Sequence, residues 1–193
     1  MEELIRGESE WTQSTIRQVD RLTGLIQNLV LISKAREQEN KSGLSEIDAS
    51  DIVKDAVDTF EVVAVQDGKK VEKQIDDNIR LLADGSAIRQ LTTILMDNAA
   101  KYCDQGGVIR VALHQGKRNK GLNLTVSNSY KDGKDIDYRR FFDRFYREES
   151  HHNIDKGGYG IGLSIAKTIC QQYGGQIKAD WKNGEISFIC TLY

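Results

Sequence analysis

The 193-residue sequence contains no proline, only three cysteines and two tryptophans, and no long apolar run. Without proline, no helix of the chain is interrupted by a residue that lacks a backbone N–H. Cys103, Cys170 and Cys190 are isolated and odd in number. They predict buried thiols in a reducing compartment and argue against a disulfide framework or a zinc site. No apolar stretch approaches the ~20 residues that a membrane-spanning helix requires.

An excess of one charge is also missing. The chain has 27 Lys and Arg against 29 Asp and Glu, a net charge of −2 at pH 7. This balance gives no reason to expect nucleic acid or an anionic membrane surface as a partner. The first residues, MEELIR, carry charge from the second position and do not resemble a signal peptide. We therefore expect a cytoplasmic location.

The N-terminal region has the pattern of one long helix. From about residue 9 to residue 38, apolar residues recur at spacings of three and four, as in Val19, Leu22, Ile26 and Leu29. The broad apolar face favours a four-helix bundle, in which a partner helix covers it. The alternative is a helix that lies on its own domain. We assign residues 1–40 to this helical region, 41–47 to a linker and 48–193 to a second domain; the resemblance described below implies that residues 1–40 are part of a helical hairpin.

This second domain alternates helical and strand patterns and predicts an α+β fold, with a layer of helices on a largely antiparallel sheet. Helices are predicted from Asp48 or Ser50 to about Val65, from Asp84 to Tyr102, near 138–146, and directly after the glycine turn, from Leu163 onward. The first two strands lie on either side of an Asp-Asp-Asn turn, and an Asn-Gly pair separates the last two, which is a strong hairpin signal. The strand segments are 71–75, 79–82, 107–114, 122–127, 175–181 and 185–193.

A glycine-rich turn stands directly before the last helix, in the segment GGYGIGLSIAK at 157–167. The N-terminus of a helix carries unpaired N–H groups and a partial positive charge, so it can hold phosphate. Gly158, Gly160 and Gly162 let the backbone approach such an anion closely. The alternative is a turn that only reverses the chain, because a short glycine pattern alone is weak evidence.

Two further segments combine polar and apolar residues. In LMDNAAKYC (residues 95–103), Asn98 and Lys101 share a helix face, so an amide oxygen could coordinate magnesium beside an ammonium that neutralises phosphate. The alternative is a solvated helix end, with Lys101 complementing the helix dipole. In FFDRFYR (residues 141–147), Arg144 and Arg147 could bind phosphate while the aromatic rings anchor the segment. The alternative is a hydrophobic plug with solvated arginines.

Together these segments resemble the sensor histidine kinases of two-component systems, which belong to the GHKL ATP-binding superfamily. Residues 95–102 resemble the N box, 141–147 the F box and 157–163 the G2 box, while 18–37 resemble the second helix of the dimerisation and phosphotransfer hairpin. The resemblance implies the two-layer α/β sandwich of that family, preceded by a long bundle-forming helix. It also implies that the domain binds ATP with Mg²⁺.

The resemblance also implies a role for each matching residue. Asn98 would hold magnesium, Lys101 would contact phosphate and Tyr102 would lie beside the nucleotide. Arg147 would reach the γ-phosphate with help from Arg144. The phosphates would be bracketed at the helix start by Gly158, Gly160, Gly162 and Leu163. The polar segment 131–156, which includes His151 and His152, would form a mobile lid.

Two departures from the family pattern bear on function. Asn128 stands where the family has an aspartate that recognises the adenine amino group, and Tyr130 replaces the first glycine of the G1 box. An amide oxygen still accepts a hydrogen bond, and the sequence predicts that Asn128→Asp preserves or tightens binding. The phosphoacceptor histidine of the family has no counterpart in residues 1–40, so we expect a chain that binds ATP and does not phosphorylate itself.

The implied function is transfer of the γ-phosphoryl to a histidine on an intact helical hairpin, from which the receiver domain of a response regulator takes it. The implied full-length protein is a homodimer through the hairpin, and it meets the membrane only through segments outside this chain. One alternative is a hydrolytic ATPase of the same superfamily, but Ile94 occupies the position of its catalytic glutamate. Another is a non-catalytic dimeric interaction module with a decayed nucleotide site.

Overall fold

The computed structural model describes Thr12 and Thr15, which are both helical, and residues 44–116, 120–134, 136–144, 146 and 160–193. From residue 44 onward these residues belong to one compact unit. Apart from the two threonines, the predicted bundle helix lies outside the described residues. The same holds for Arg147, Gly158 and residues 147–156 of the predicted lid.

From residue 44 onward, the described residues form three α-helices, one 3₁₀ helix and seven strands. The α-helices are α1 (Ala49–Gln66), α2 (Gly85–Tyr102) and α3 (Gly162–Gln172), and the 3₁₀ helix is Tyr138–Phe142. The strands are β1 (Ser45–Asp48), β2 (Lys70–Ile75), β3 (Arg80–Ala83), β4 (Val108–Gln115), β5 (Leu122–Ser129), β6 (Gln176–Lys182) and β7 (Glu185–Leu192). Of the part described, no helix is long and apolar enough to span a membrane.

The main sheet has five strands in the order β2-β4-β5-β7-β6. β2 runs parallel to β4, with Lys70 opposite Val108, and every other neighbouring pair in this sheet is antiparallel. The prediction of a largely antiparallel sheet is confirmed. β1 and β3 form a separate antiparallel pair, with Ser45 opposite Ala83.

The structure confirms the first two predicted strands and shows which strands they pair with. β2 and β3 flank the predicted Asp-Asp-Asn turn, but they belong to different sheets and do not pair with one another. Asn78 in the connection has a φ of 58°, in the left-handed region that asparagine tolerates better than most residues. β1 also begins within residues 41–47, where the sequence predicts only a linker, because its partner β3 is more than thirty residues away and gives no local signal.

Aspartates begin the first two helices, as the sequence predicts. Asp48 accepts a hydrogen bond from the backbone N–H of Ser50 at 3.0 Å, and Asp84 accepts one from Ser86 at 2.7 Å. Such caps satisfy backbone donors that have no partner inside the helix. The hydroxyl of Ser50 has a different role, since it accepts from the backbone N–H of Ile79 at 3.0 Å.

The core lies between the helices and one face of the five-stranded sheet. Alternate residues along the central strands are buried, as expected when one face of a sheet is covered. On α2 the buried residues recur at helical spacing and stop near its last turn, where Asp97, Asn98 and Lys101 are only partly buried. The buried apolar residues of β4, β5, β7 and α2 are Ile109, Val111, Leu113, Leu122, Leu124, Val126, Ile186, Phe188, Cys190, Leu192, Ile88, Leu91, Leu95, Met96 and Ala99.

The predicted Asn-Gly hairpin connects β6 and β7. Asn183 has a φ of 54° and Gly184 a φ of 80°, so both residues adopt the left-handed backbone of a type I′ turn. The two strands pair from Lys182 opposite Glu185 to Gln176 opposite Thr191. Strand β6 of this hairpin is an edge strand of the sheet, and the turn of the hairpin lies beside the loop after β5.

Candidate nucleotide-binding site

The last turn of α2 carries the residues that resemble the N box. Asn98 is partly buried, and the side chain of Tyr102 is 39% exposed. Lys101 forms an ion pair with Asp97, one turn earlier, with 2.6 Å between Nζ and Oδ2. Lys101 is therefore held on the helix surface by Asp97, and it also lies where a cation complements the helix dipole.

Lys69 supports this turn from the adjacent segment. Its Nζ donates to the carbonyl oxygen of Ala100 at 2.6 Å, and only 9% of its side chain is exposed. The last carbonyls of a helix have no partner within the helix, so an ammonium here satisfies a backbone acceptor and opposes the dipole. The sequence did not reveal this contact, because it joins residues 31 positions apart.

The N-terminus of α3 is the candidate phosphate site. Gly160 has a φ of 66°, which a residue with a Cβ adopts only with strain. Ile161 is the N-cap and makes no side-chain hydrogen bond to the first turn. The hydroxyl of Ser164 donates to the carbonyl of Ile161 at 2.8 Å, so it does not cap the N–H groups. The start of α3 therefore has the character of an anion site.

A contact between α2 and α3 relates this site to Asn98. A Cβ placed on Gly162 would lie 3.3 Å from Cγ2 of Ile94, so the first turn of α3 packs on α2 at that residue. Ile94 is one helical turn before Asn98 and shares its face. At the other ends of the helices, the backbone N–H of Asp84 donates to the hydroxyl of Tyr173 at 3.1 Å. The helices are thus antiparallel, and the start of α3 lies beside the middle of α2, one helical turn before Asn98.

Asn128 is fully buried near the end of β5. Its Nδ2 donates to the carbonyl of Ser129 at 3.0 Å, whereas Oδ1 has no hydrogen-bond partner among the described residues. The same Ser129 carbonyl accepts from the backbone N–H of Asp104 at 3.0 Å. The end of β5 therefore lies against the loop that follows α2, so that a buried, unsatisfied acceptor and the Asn98 turn belong to neighbouring elements.

The segment that resembles the F box is anchored by its aromatic residues. Phe142 packs edge to face on Phe188 of β7, with 6.5 Å between ring centroids. The guanidinium of Arg140 lies 4.5 Å from the ring centroid of Tyr146. Arg144 is exposed. The hydrophobic plug predicted as an alternative is thus present for Phe142. Phe145 and Arg147 lie outside the described residues.

The structure thus places Gly162 against Ile94, one helical turn before Asn98, and joins Asn128 through the Ser129 carbonyl to the loop after α2. The roles predicted for the site residues stay predictions, and Arg147 and Gly158 lie outside the described residues. Lys69 and Trp181 support the site and were not singled out from the sequence. Trp181 occupies an inward position of the edge strand β6, where a large aromatic residue is ordinarily interpreted as core. Its indole Nε1 donates to the carbonyl of Tyr130 at 2.7 Å, a contact that depends on the fold.

Comparisons with known proteins identify the family to which the chain belongs. The family model described as histidine kinase-, DNA gyrase B-, and HSP90-like ATPase matches residues 83–192. The chain is 27% identical over 179 residues to the sensor protein DltS of Streptococcus agalactiae, covering 93% of this chain and 44% of DltS. It is 30% identical over 176 residues to the sensor protein CiaH of Streptococcus pneumoniae, covering 91% of this chain and 39% of CiaH. The chain therefore spans less than half the length of these curated relatives.

A solved structure supports the fold. The catalytic domain of the histidine kinase ThkA superposes with a TM-score of 0.65 at 20% identity, covering 77% of this chain and 94% of that domain. The likeness confirms the predicted two-layer α/β sandwich of the histidine kinase type. At this identity it concerns the fold alone.

Proposed function

Because the chain belongs to the histidine kinase-, DNA gyrase B- and HSP90-like ATPase family, we propose that it is the catalytic domain of a sensor histidine kinase. In this proposal it binds Mg–ATP and transfers the γ-phosphoryl group to a histidine on a helical hairpin. The receiver domain of a response regulator then takes the phosphoryl group. The hairpin is also the dimer contact of the full-length protein in this proposal.

The observation that carries the proposal is the buried Oδ1 of Asn128, which has no partner within the described part of the chain. An unsatisfied buried acceptor costs about 1–3 kcal/mol. A ligand with an N–H donor at this point removes that cost. The exocyclic amino group of adenine is such a donor, and Asn128 is the residue at the position of adenine recognition.

The phosphates are proposed to lie at the start of α3. The first-turn N–H groups and the helix dipole attract anions there. Gly160, Gly162 and Leu163 bring the backbone close to the phosphates. Gly158 completes the turn in this proposal. The contact between Gly162 and Ile94 supports a phosphate position within reach of the Asn98 turn.

The residues at the end of α2 fit a magnesium ion that is held chiefly by the nucleotide. Within the described ranges no group of three or more His, Cys, Asp or Glu side chains is placed to hold a metal. Magnesium commonly keeps several waters and substrate phosphates with only one or two protein ligands. The amide oxygen of Asn98 suits that role. A bound magnesium ion neutralises charge on the phosphates.

The cations have separate roles in the proposal. Lys101, which the Asp97 carboxylate holds on the helix surface, contacts phosphate from the end of α2. Tyr102 lies beside the nucleotide. Arg144 and Arg147 approach the γ-phosphate from the aromatic segment. In phosphoryl transfer such groups position the nucleotide and stabilise charge, so each acts without forming a covalent bond.

Two rival functions are weaker on specific grounds. A hydrolytic ATPase needs a general base one turn before the magnesium ligand, but Ile94 is apolar and packs on α3. A decayed, non-catalytic site has no use for a buried acceptor without a partner, since an apolar residue at 128 avoids its cost. We also propose a cytoplasmic location, which suits three buried cysteines that form no disulfide in the described part of the chain.

The experiment for this proposal is calorimetric titration of the chain with ATP, with and without magnesium, for the wild type and for Asn98→Ala. We expect Asn98→Ala to weaken binding about tenfold or more with magnesium and only slightly without it. Thr93→Ala, at an exposed position of the same helix, is the matched control. An equal loss with and without magnesium shows that Asn98 is not the metal ligand, and no ATP binding by the wild type contradicts the proposal itself.

A further inference from the structure

The loop after β5, residues 129–133, is held by the hairpin between β6 and β7. We call these five residues the base loop. The backbone N–H of Tyr130 donates to the carbonyl of Gly184 at 2.7 Å. The indole Nε1 of Trp181 donates to the carbonyl of Tyr130, also at 2.7 Å. The hairpin therefore binds the base loop on both sides of one residue.

Trp181 also contacts the other end of the base loop. A Cβ on Gly133 would lie 2.3 Å from both Cδ1 and Nε1 of Trp181, so only glycine fits beneath the indole ring. The hydroxyl of Tyr138 donates to the carbonyl of Gly133 and closes this end. One tryptophan thus packs on Gly133 and hydrogen-bonds to Tyr130.

The third restraint comes from the loop after α2. The carboxylate of Asp104 accepts from the backbone N–H of Lys131 at 3.0 Å, and the backbone N–H of Asp104 donates to the carbonyl of Ser129. The base loop is therefore bound at four of its five residues. A loop restrained in this way loses little conformational entropy when a ligand binds.

These restraints determine which way the amide of Asn128 faces. The carbonyl of Ser129 receives two hydrogen bonds, from the backbone of Asp104 and from Nδ2 of Asn128, which use both of its lone pairs. Rotation of the amide by half a turn would place Oδ1 against that carbonyl. While the carbonyl of Ser129 keeps its direction, Asn128 therefore presents an acceptor to a ligand.

We infer that Trp181 is a positioning residue for base recognition. Through the peptide groups of Tyr130 it fixes the direction of the Ser129 carbonyl, and this in turn fixes Asn128 as a hydrogen-bond acceptor. The site then selects a base that presents an amino group, as adenine does, over a base with hydrogen or a carbonyl at that point. This inference rests on the proposed function, because it concerns the base subsite of the same nucleotide site.

The test compares the affinity of the chain for ATP with its affinity for purine riboside triphosphate, which has hydrogen in place of the amino group. Trp181→Phe retains an aromatic ring and removes the indole N–H, and Lys182→Ala, on the exposed neighbouring residue, is the control. We expect the wild type and Lys182→Ala to prefer ATP by about fivefold to tenfold, the effect of one hydrogen bond to a buried acceptor. We expect Trp181→Phe to reduce this preference to about twofold or less, because the variant binds ATP more weakly and binds the analogue as the wild type does.

Each other outcome is decisive. Loss of a residue with only a structural role lowers the affinity for both nucleotides equally. An equal loss of affinity for ATP and for the analogue in Trp181→Phe therefore overturns the inference. If the preference survives in Trp181→Phe and disappears in Asn128→Ala, Asn128 reads the base without help from Trp181, and the proposed function stands. If Asn128→Ala also keeps the preference, both the inference and the adenine assignment are wrong. Should Trp181→Phe fail to fold, Trp181→Leu, which also lacks the indole N–H, takes its place, and an unchanged preference in that variant overturns the inference.

Discussion

The Nζ of Lys69 donates a hydrogen bond to the carbonyl oxygen of Ala100 at 2.6 Å, and this contact joins the segment before β2 to the last turn of α2. That turn carries Asn98 and Lys101, so a stabilising contact lies directly beside the proposed magnesium and phosphate ligands. Stability and nucleotide affinity are therefore expected to depend on the same ammonium group.

We predict that Lys69→Met lowers the free energy of unfolding by about 1–3 kcal/mol, because the carbonyl of Ala100 loses a charged donor in a partly buried contact. The affinity for Mg–ATP is expected to fall as well, since the last turn of α2 frays more readily. Urea denaturation and calorimetric titration measure the two effects. Lys69→Arg should lose less than the methionine variant, and Lys54→Met, which removes an exposed ion pair with Asp77, should unfold almost as the wild type does. Equal stability of Lys69→Met and the wild type would refute the role of Lys69.

The side chain at 128 gives a second prediction, and here the structure changes the expectation drawn from the sequence. The Nδ2 of Asn128 donates to the carbonyl of Ser129, so an aspartate places a carboxylate oxygen against a carbonyl in a fully buried position. We now expect Asn128→Asp to weaken ATP binding and to destabilise the fold by about 1–3 kcal/mol near neutral pH. Tightened ATP binding by this variant would show that the Ser129 contact does not constrain the site.

The sign of the pH dependence follows from the same burial. Without a donor, the pKa of the introduced carboxyl is raised above its value of about 3.9 in the unfolded chain. The destabilisation is absent below the unfolded pKa and grows as the pH rises toward the folded pKa. Urea unfolding at about pH 5 and about pH 8 should therefore show a larger difference from the wild type at the higher pH. A larger difference at the lower pH contradicts a buried, unpaired carboxylate.

The cysteines give a third prediction, which concerns reactivity. The three cysteines are buried and form no disulfide among the described residues, and a hydrogen bond with the Cys170 thiol together with burial raises the pKa of Cys190. A raised pKa reduces the thiolate fraction at a given pH, and the thiolate is the reactive form. With a thiol-specific disulfide reagent at about pH 8 we expect slow reaction of the native chain and rapid reaction of all three thiols in denaturant. A rapid phase in the native protein would contradict the burial of at least one cysteine.

Much of this fold could be predicted from the sequence because its signals are local. The aspartate caps, the helical spacing of Leu91 and Leu95 and the Asn-Gly turn each act over a few residues. The pairing of β1 with β3, and the placement of β2 beside β4, depend on partners far along the chain, and neither could be predicted from the local pattern. The residues of the candidate site also divide into those with a local sequence signal and those without one. Asn98 and the glycines were found from their motifs, whereas Lys69 and Trp181 contact residues 31 and 51 positions away and carry no motif.

Phosphorylation tests the central claim most directly. The chain is incubated with γ-labelled ATP and magnesium, first alone and then with a separately supplied helical hairpin. This hairpin contains the acceptor histidine and comes from the proposed full-length kinase. We predict no acid-labile, base-stable label on the chain alone, and label on the hairpin that forms more slowly than in the joined protein, because the local concentration is lost. Asn98→Ala should abolish that transfer, while Thr93→Ala should retain it. Strong labelling of the chain alone that His151→Ala or His152→Ala removes, or no label on the hairpin despite bound Mg–ATP, would contradict the account.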